Sequence, residues 1–347
     1  MGDVLKGSLI LMTLLTLACE AKAPATKPVR IGLSMDSFVV ERWIRDRDIF
    51  VSEAQALGAE VLVQVANEDH ETQVQQINFL MAQDIDVLVV VPNDSQRLGA
   101  TIRQLEARGM PVLSYDRLIL NGNVDLYVSH DSVGAGRLMA TAVEKSLASR
   151  PSPYRLVIVN GARSDHNSAL MNQGYHEILD GLVRNQRVFI VSEVWLSTWS
   201  SEEAEASFRK ALIGMAAKPD GVIAANDLLA ESLVRVLAQK SFLDGTLMTG
   251  MDADLAACQR VVEGTQTMTV YKPIAPLATT AAKYAVLLAL HQPLGVTETI
   301  NDGSFEVPFL KLQPVAVYPE NIKETVVRDG FHRADEIYRN LEPRAKP

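Results

Sequence analysis

From Val29 onward, short apolar runs alternate with longer segments whose apolar residues recur at helical spacing. Val29–Leu33 reads as a strand, and Val40–Leu57 as a helix that puts Trp43, Phe50 and Ala54 on one face. The alternation continues through Glu60–Ala66 (strand), Thr72–Gln83 (helix), Val87–Pro92 (strand), Leu98–Arg108 (helix) and Val112–Tyr115 (strand). The unbroken VLVVV of 87–91 is what a strand covered on both faces requires. Past Asp125 the pattern starts again, with strands expected at Tyr154–Asn160, Phe189–Trp195, Gly221–Ala225 and Leu247–Gly250, each followed by a helical segment. The stretch Thr267–Val317 adds a strand, a helix over Pro273–Leu290 and a further strand around Phe309–Val317. Such alternation predicts an α/β chain folded as two doubly wound parallel-sheet lobes. One half is revisited late in the sequence, so the chain crosses between lobes repeatedly and a multi-strand hinge joins them. The expected N-terminal lobe comprises 29–133 and 273–306, and the C-terminal lobe 134–272 and 307–335.

The chain's 347 residues suffice for two full cores. Apolar residues make up 48% and charged residues 22%, a globular composition. A net charge of −9 argues against a nucleic-acid partner, because phosphate binding needs clustered Lys and Arg. The first 23 residues stand apart. Lys6 precedes the apolar stretch Leu9–Ala18, about half of what a bilayer span needs, which is the anatomy of an export signal. Two processing routes compete. Ala21-Lys22-Ala23 fits ordinary signal cleavage, whereas Thr16-Leu17-Ala18-Cys19 resembles a lipobox that would lipidate Cys19; residues 24–28 then form a tether. Cys258 is the other cysteine, expected as a packed helix residue, so the mature domain has no intramolecular disulfide.

Catalytic readings find little support. The six histidines show no metal-ligand spacing, and no nucleophile elbow, P-loop or dinucleotide fingerprint follows a strand. No metal or cofactor is expected. The acidic residues of Glu41–Phe50 read as surface ion pairs on a helix, Arg45 and Asp48 being i, i+3 neighbours.

In open α/β sheets, ligands bind beyond the carboxyl ends of the strands. Polar residues cluster at those ends: Asp36, Asp116-Arg117, Asp165 to Asn167, Asn226-Asp227, Asp252 and Lys272. Five segments around them, ERWIRDRDIF (41–50), SYDR (114–117), AND (225–227), GMDADLA (250–256) and GTQTMTVYKPI (264–274), resemble the periplasmic D-xylose-binding proteins of ABC importers. That family belongs to the ribose/galactose-binding, type I periplasmic binding proteins, and the resemblance runs from Val29 to His332.

The resemblance implies a sugar clamp, not an enzyme. It assigns ligand contacts to Arg42, Trp43, Asp116, Arg117, Asn167, Trp199, Asn226, Asp252 and Lys272. A monosaccharide has apolar C–H faces and a rim of hydroxyls, so it needs aromatic walls and a ring of planar or charged polar groups. Trp43 and Trp199 would supply the walls. Asp116 and Asp252 would accept from hydroxyls, Arg42, Arg117 and Lys272 would donate, and Asn167 and Asn226 would do either. Trp195 continues its strand and is expected in the core; Phe38 is a reserve stacking residue. The sequence departs from the family's paired asparagines at His166-Asn167. Two partners fit such a receptor, expected as an exported monomer in the periplasm or at the outer face of the cytoplasmic membrane: an ABC permease, or a histidine kinase or chemoreceptor served by a lipid-anchored sugar sensor. A repressor of the same fold would carry a helix-turn-helix where the export signal stands.

Overall fold

The structure is a computed structural model that describes residues 27–40, 42–146, 152–215 and 217–341. The expected export signal and Cys19 lie outside the described residues.

The first lobe begins with alternating elements: β1 (Arg30–Met35), α1 (Arg42–Ala56), β2 (Glu60–Val65), α2 (His70–Met81), β3 (Val87–Val90), α3 (Gly99–Glu106), β4 (Val112–Tyr115) and β5 (Leu126–His130). The second lobe follows: α4 (Ser132–Ser146), β6 (Tyr154–Ala162), α5 (His166–Arg184), β7 (Val188–Leu196), α6 (Ser201–Ala211), β8 (Gly221–Ala224), α7 (Asp227–Gln239), β9 (Leu247–Met251), α8 (Leu255–Glu263) and β10 (Met268–Tyr271). The chain then returns to the first lobe with α9 (Ile274–Ala289), β11 (Thr299–Asn301) and β12 (Glu306–Leu312). It ends in the second with β13 (Val315–Val317) and α10 (Ala334–Ile337).

One sheet has the order β11-β12-β5-β4-β3-β1-β2, the other β13-β10-β9-β8-β6-β7. The inner strands of both run parallel, and only the edge strands β11 and β13 are antiparallel. All four residues of β3 are buried, as its apolar run requires, because helices cover both faces. In α1, Trp43, Phe50 and Ala54 form the buried stripe, packed with Leu277, Ala281 and Ala285 of α9 in one core. The second lobe has its own core around Tyr154, Tyr175, Phe208 and Leu233. Among the described residues, no helix is long and apolar enough to cross a membrane.

Three segments connect the lobes, at Asp131, at Lys272-Pro273 and at Gln313-Pro314. The last lies later than the boundary expected at 306/307, and the single strand expected around Phe309–Val317 is two. Phe309–Leu312 pair with Tyr127–His130 in the first sheet, and Val315–Val317 with Thr269–Tyr271 in the second. Pro314 has no N–H to extend a ladder, so the chain changes sheets there. Asp131 N–H donates to the Leu312 carbonyl at 2.8 Å, tying two of the crossings together.

Candidate ligand-binding site

All nine residues assigned from the sequence line one cavity between the lobes, at the carboxyl ends of both sheets. Val40, Asp165, Met171 and Met251 complete its wall. Asp116 ends β4 in one lobe and Asp252 ends β9 in the other, and the two are built alike. The Asp116 N–H donates to Val128 O and the Asp252 N–H to Val270 O, both at 2.8 Å, after which the backbone turns to φ 60° and 98°. Positive φ at a non-glycine residue costs on the order of 1–3 kcal/mol and persists only where the surroundings hold it. At Asp116 the holding groups are visible: its carbonyl accepts from Tyr127 Oη (3.0 Å), Ser129 Oγ (2.6 Å) and Asn167 Nδ2 (2.8 Å).

The cations are held just as firmly. Arg42, in the first turn of α1, donates Nε and Nη2 to Asp46 one turn on, at 2.9 and 3.0 Å. Asp46 is fully buried and also accepts from Tyr115 Oη, so it is not one of the surface pairs expected of this helix. Arg45 reaches the Phe331 carbonyl instead of Asp48, which pairs with Arg47. With two of its nitrogens committed, Arg42 aims Nη1 between the lobes, 3.5 Å from Asp116 and 3.9 Å from Asp252. Arg117 is fixed by Asp36 (2.7 Å) and Asp165 (2.8 Å). Lys272 Nζ sits 3.2 Å from Asp252 and 3.8 Å from Asp116, bridging the lobes.

Burial alone would raise the Asp116 carboxyl, but Lys272 and Arg42 overcome it and hold it at about 2. Burial works against the charge on Arg42 too, yet Asp46 and Asp116 keep its pKa well above the ordinary value. His130, at the end of β5, goes the other way: burial and the nearby Arg42 and Lys272 push it far down, so it is neutral at pH 7.

Four buried atoms on residues that line this cavity make no hydrogen bond among the described residues: Arg42 Nη1, Trp43 Nε1, Asp116 Oδ1 and Asp252 Oδ1, the charged ones meeting only the ion-pair contacts with Lys272 and Arg42. A buried polar atom without a hydrogen bond costs about 1–3 kcal/mol, so four on one cavity mark where a ligand's own polar groups would go. The asparagines offer less than expected. Asn167 Oδ1 already accepts from Ser132 Oγ, and Asn226 Oδ1 caps α7 by accepting from Leu229 N–H at 3.0 Å. Asn226 keeps its amide N–H groups to give, and Asn167, whose Nδ2 also donates to the Asp116 carbonyl, keeps one.

Trp43 is buried, with the Arg42 and Arg117 guanidiniums 4.9 and 5.6 Å from its ring centroid. Trp199 is fixed by Nε1 donating to Asp165 at 3.2 Å. Trp195 lies half-buried on the edge strand β7 with Arg163 over its ring, not in the core, because an edge strand leaves one flank uncovered. Phe38 packs under Arg47 and does not line the cavity. Sequence reasoning had named Asp36 and Asp165 only as strand-end residues; their roles as Arg117's partners depend on contacts 81 and 48 positions away along the chain. Cys258 is buried in α8, as its apolar neighbours suggested.

The chain matches the periplasmic binding protein domain over residues 31–293. It is 39% identical over 313 residues to a D-xylose-binding periplasmic protein of Haemophilus influenzae, covering 90% of this chain and 93% of the relative. A D-xylose-binding periplasmic protein of Escherichia coli is 38% identical over 329 residues, covering 94% and 98%. Among solved structures, a carbohydrate transporter solute-binding protein of Chloroflexus aurantiacus, in complex with D-glucose, superposes with a TM-score of 0.82 at 24% identity, over 90% of this chain and 98% of that one.

Proposed function

The chain belongs to the periplasmic binding proteins, and from that premise we propose that its ligand is a neutral monosaccharide, D-xylose before others, captured outside the cytoplasm for an ABC importer. It is a receptor and not an enzyme. The observation that carries the sugar reading is the set of four buried polar atoms without a hydrogen bond, contributed by both lobes, on a cavity walled by two tryptophans. Charge supports it. The cavity wall carries three cations (Arg42, Arg117, Lys272) and three carboxylates (Asp116, Asp165, Asp252), so an ionic ligand would leave a buried charge unbalanced. A polyhydroxylated ligand both donates and accepts, matching Arg42 Nη1 and the asparagine amides on one side and the two aspartates on the other.

Free space among these side chains is about 30 Å³, and a single water needs roughly 10–15 Å³ by that measure. A pyranose therefore enters only when the lobes part and Lys272 withdraws from between the aspartates. Three connecting segments suit such a hinge. The choice of xylose rests on the two relatives at 38–39% identity and on a steric argument. Xylopyranose and glucopyranose differ by a hydroxymethyl on C5, and a clamp closed on the pentose excludes the larger ring.

Calorimetric titration with xylose, glucose, ribose and arabinose tests this. Xylose is expected at about micromolar Kd, near −8 kcal/mol, with glucose at least about tenfold weaker. Tighter binding of glucose or ribose would remove the xylose assignment and leave the sugar clamp. We also propose that Cys19 anchors the receptor through a lipid; Cys19→Ala should release it from the membrane fraction or stall its processing, and unchanged membrane association would refute the anchor.

A further inference from the structure

Behind Asp252 lies a buried carboxylate that does not line the cavity. Asp227, the first residue of α7, is 1% exposed and receives three hydrogen bonds. Gln266 Nε2 donates to Oδ1 at 2.8 Å; Thr269 Oγ1 and the Asp254 backbone N–H donate to Oδ2 at 2.7 and 3.1 Å. Thr269 Oγ1 in turn accepts from the Ala253 N–H at 3.2 Å. The backbone amides of Ala253 and Asp254 are thus both fixed to Asp227, one through Thr269 and one directly. Their turn is the strained one, with Asp252 at φ 98° and Ala253 at φ 55°. Two consecutive left-handed residues that are not glycine stay put only if something holds them.

The approach is too close for a side chain at Gly250: a Cβ there would lie 2.0 Å from Asp227 Oδ1 and 2.7 Å from Gln266 Nε2. The glycine, the carboxylate, Gln266 and Thr269 form one unit whose hydrogen bonds reach the cavity through the turn that carries Asp252. We propose that Asp227 is a positioning residue, whose carboxylate clamps the Asp252–Asp254 turn and so aims Asp252 Oδ1 at the ligand. The inference rests on the sugar-binding reading of the same cavity.

The charge state of Asp227 gives the clamp a pH dependence. Burial raises its carboxyl to about 7, against the lowering influence of Arg260 and of its bonds to Thr269 and Gln266, with Asp252 raising it further. Arg260 of α8 faces it with Nη2 on its backbone carbonyl and Nε on Gln266. A protonated Asp227 must give a hydrogen where it now takes three, and its neighbours Gln266 Nε2 and the Asp254 N–H are themselves donors. The turn is therefore held best above about pH 7 and loosens as the pH falls through that value.

The test is calorimetry with D-xylose on the wild type and Asp227→Asn between pH 5.5 and 8.5, beside thermal melts of both. In the wild type affinity should weaken several-fold from pH 8.5 to 5.5. Asp227→Asn keeps one acceptor oxygen and puts an NH2 against donors on the other side, either Gln266 Nε2 or Thr269 and the Asp254 N–H, so its affinity at pH 8.5 should fall by about tenfold to a hundredfold, with a flat pH profile and a folded melt. Should that variant fail to fold, Thr269→Val removes the bridging hydroxyl at nearly constant shape and should weaken xylose about tenfold. A folded variant that binds as the wild type does, with the wild type's pH profile, overturns the positioning role. If the wild type itself fails to bind xylose, the sugar assignment fails instead, and the same comparison is made with whichever monosaccharide of the panel binds.

Discussion

Replacing Lys272 with methionine removes one of the two cations, with Arg42, that reach both Asp116 and Asp252. Its Nζ is 3.2 Å from Asp252 and 3.8 Å from Asp116, and it is the foremost reason that Asp116 is held at about 2 against an ordinary value of 3.8. A carboxyl whose folded pKa is depressed contributes stability that is present above the unfolded value and lost as pH falls through the folded one. For Asp116 that window runs from 3.8 down to about 2, and the contribution at neutral pH is about 2 kcal/mol. Without Lys272, burial is opposed mainly by Arg42 and the carboxyl moves up. Lys272→Met should then be less stable than the wild type by about 3 kcal/mol at pH 7, the scale of breaking a buried pair. The difference should shrink towards pH 3.5, where the wild type is losing the same contribution. Urea unfolding at the two pH values measures this. A loss of charged hydrogen bonding to sugar should also weaken affinity roughly 10- to 150-fold. Equal stability at pH 7, or a gap that does not change with pH, would refute the electrostatic account of the site.

Asp46→Ala should cost about 3–5 kcal/mol in urea unfolding, because it strands Arg42 and Tyr115 in the core; it should weaken sugar binding as well, since Arg42 Nη1 is aimed by that pair. Gly161→Ala would place a Cβ 2.2 Å from the end of the Trp199 ring. The ring is the part able to give way, so calorimetry should show about a tenfold loss of affinity with only about 1–3 kcal/mol of destabilisation.

The strands were legible because runs such as Val87–Val91 are buried on both sides, and the site was legible because parallel sheets present ligands at their carboxyl ends. Asp116, Asn226, Asp252 and Lys272 each follow a strand that the apolar pattern marks. What the sequence hides is pairing at a distance. Asp36 is legible as a strand-end acid, but not as the partner of Arg117, 81 residues on. Asp46 sits at i+4 from Arg42, the spacing of an ordinary surface pair, and only the covering of α1 by α9 and β4 buries it. The lobe boundary near 306 was misplaced for a related reason. Whether Phe309–Leu312 joins β5 or β10 depends on sheet register, which the apolar alternation of a short strand does not record.

The central claim is that one interlobe cavity, walled by Trp43 and Trp199, closes on a monosaccharide. The chain has three tryptophans, and two of them line that cavity. Titrating D-xylose while following tryptophan fluorescence should give a saturable, single-site change with a midpoint at about micromolar concentration. No change up to millimolar sugar, with xylose or any other monosaccharide of the panel, would contradict the account.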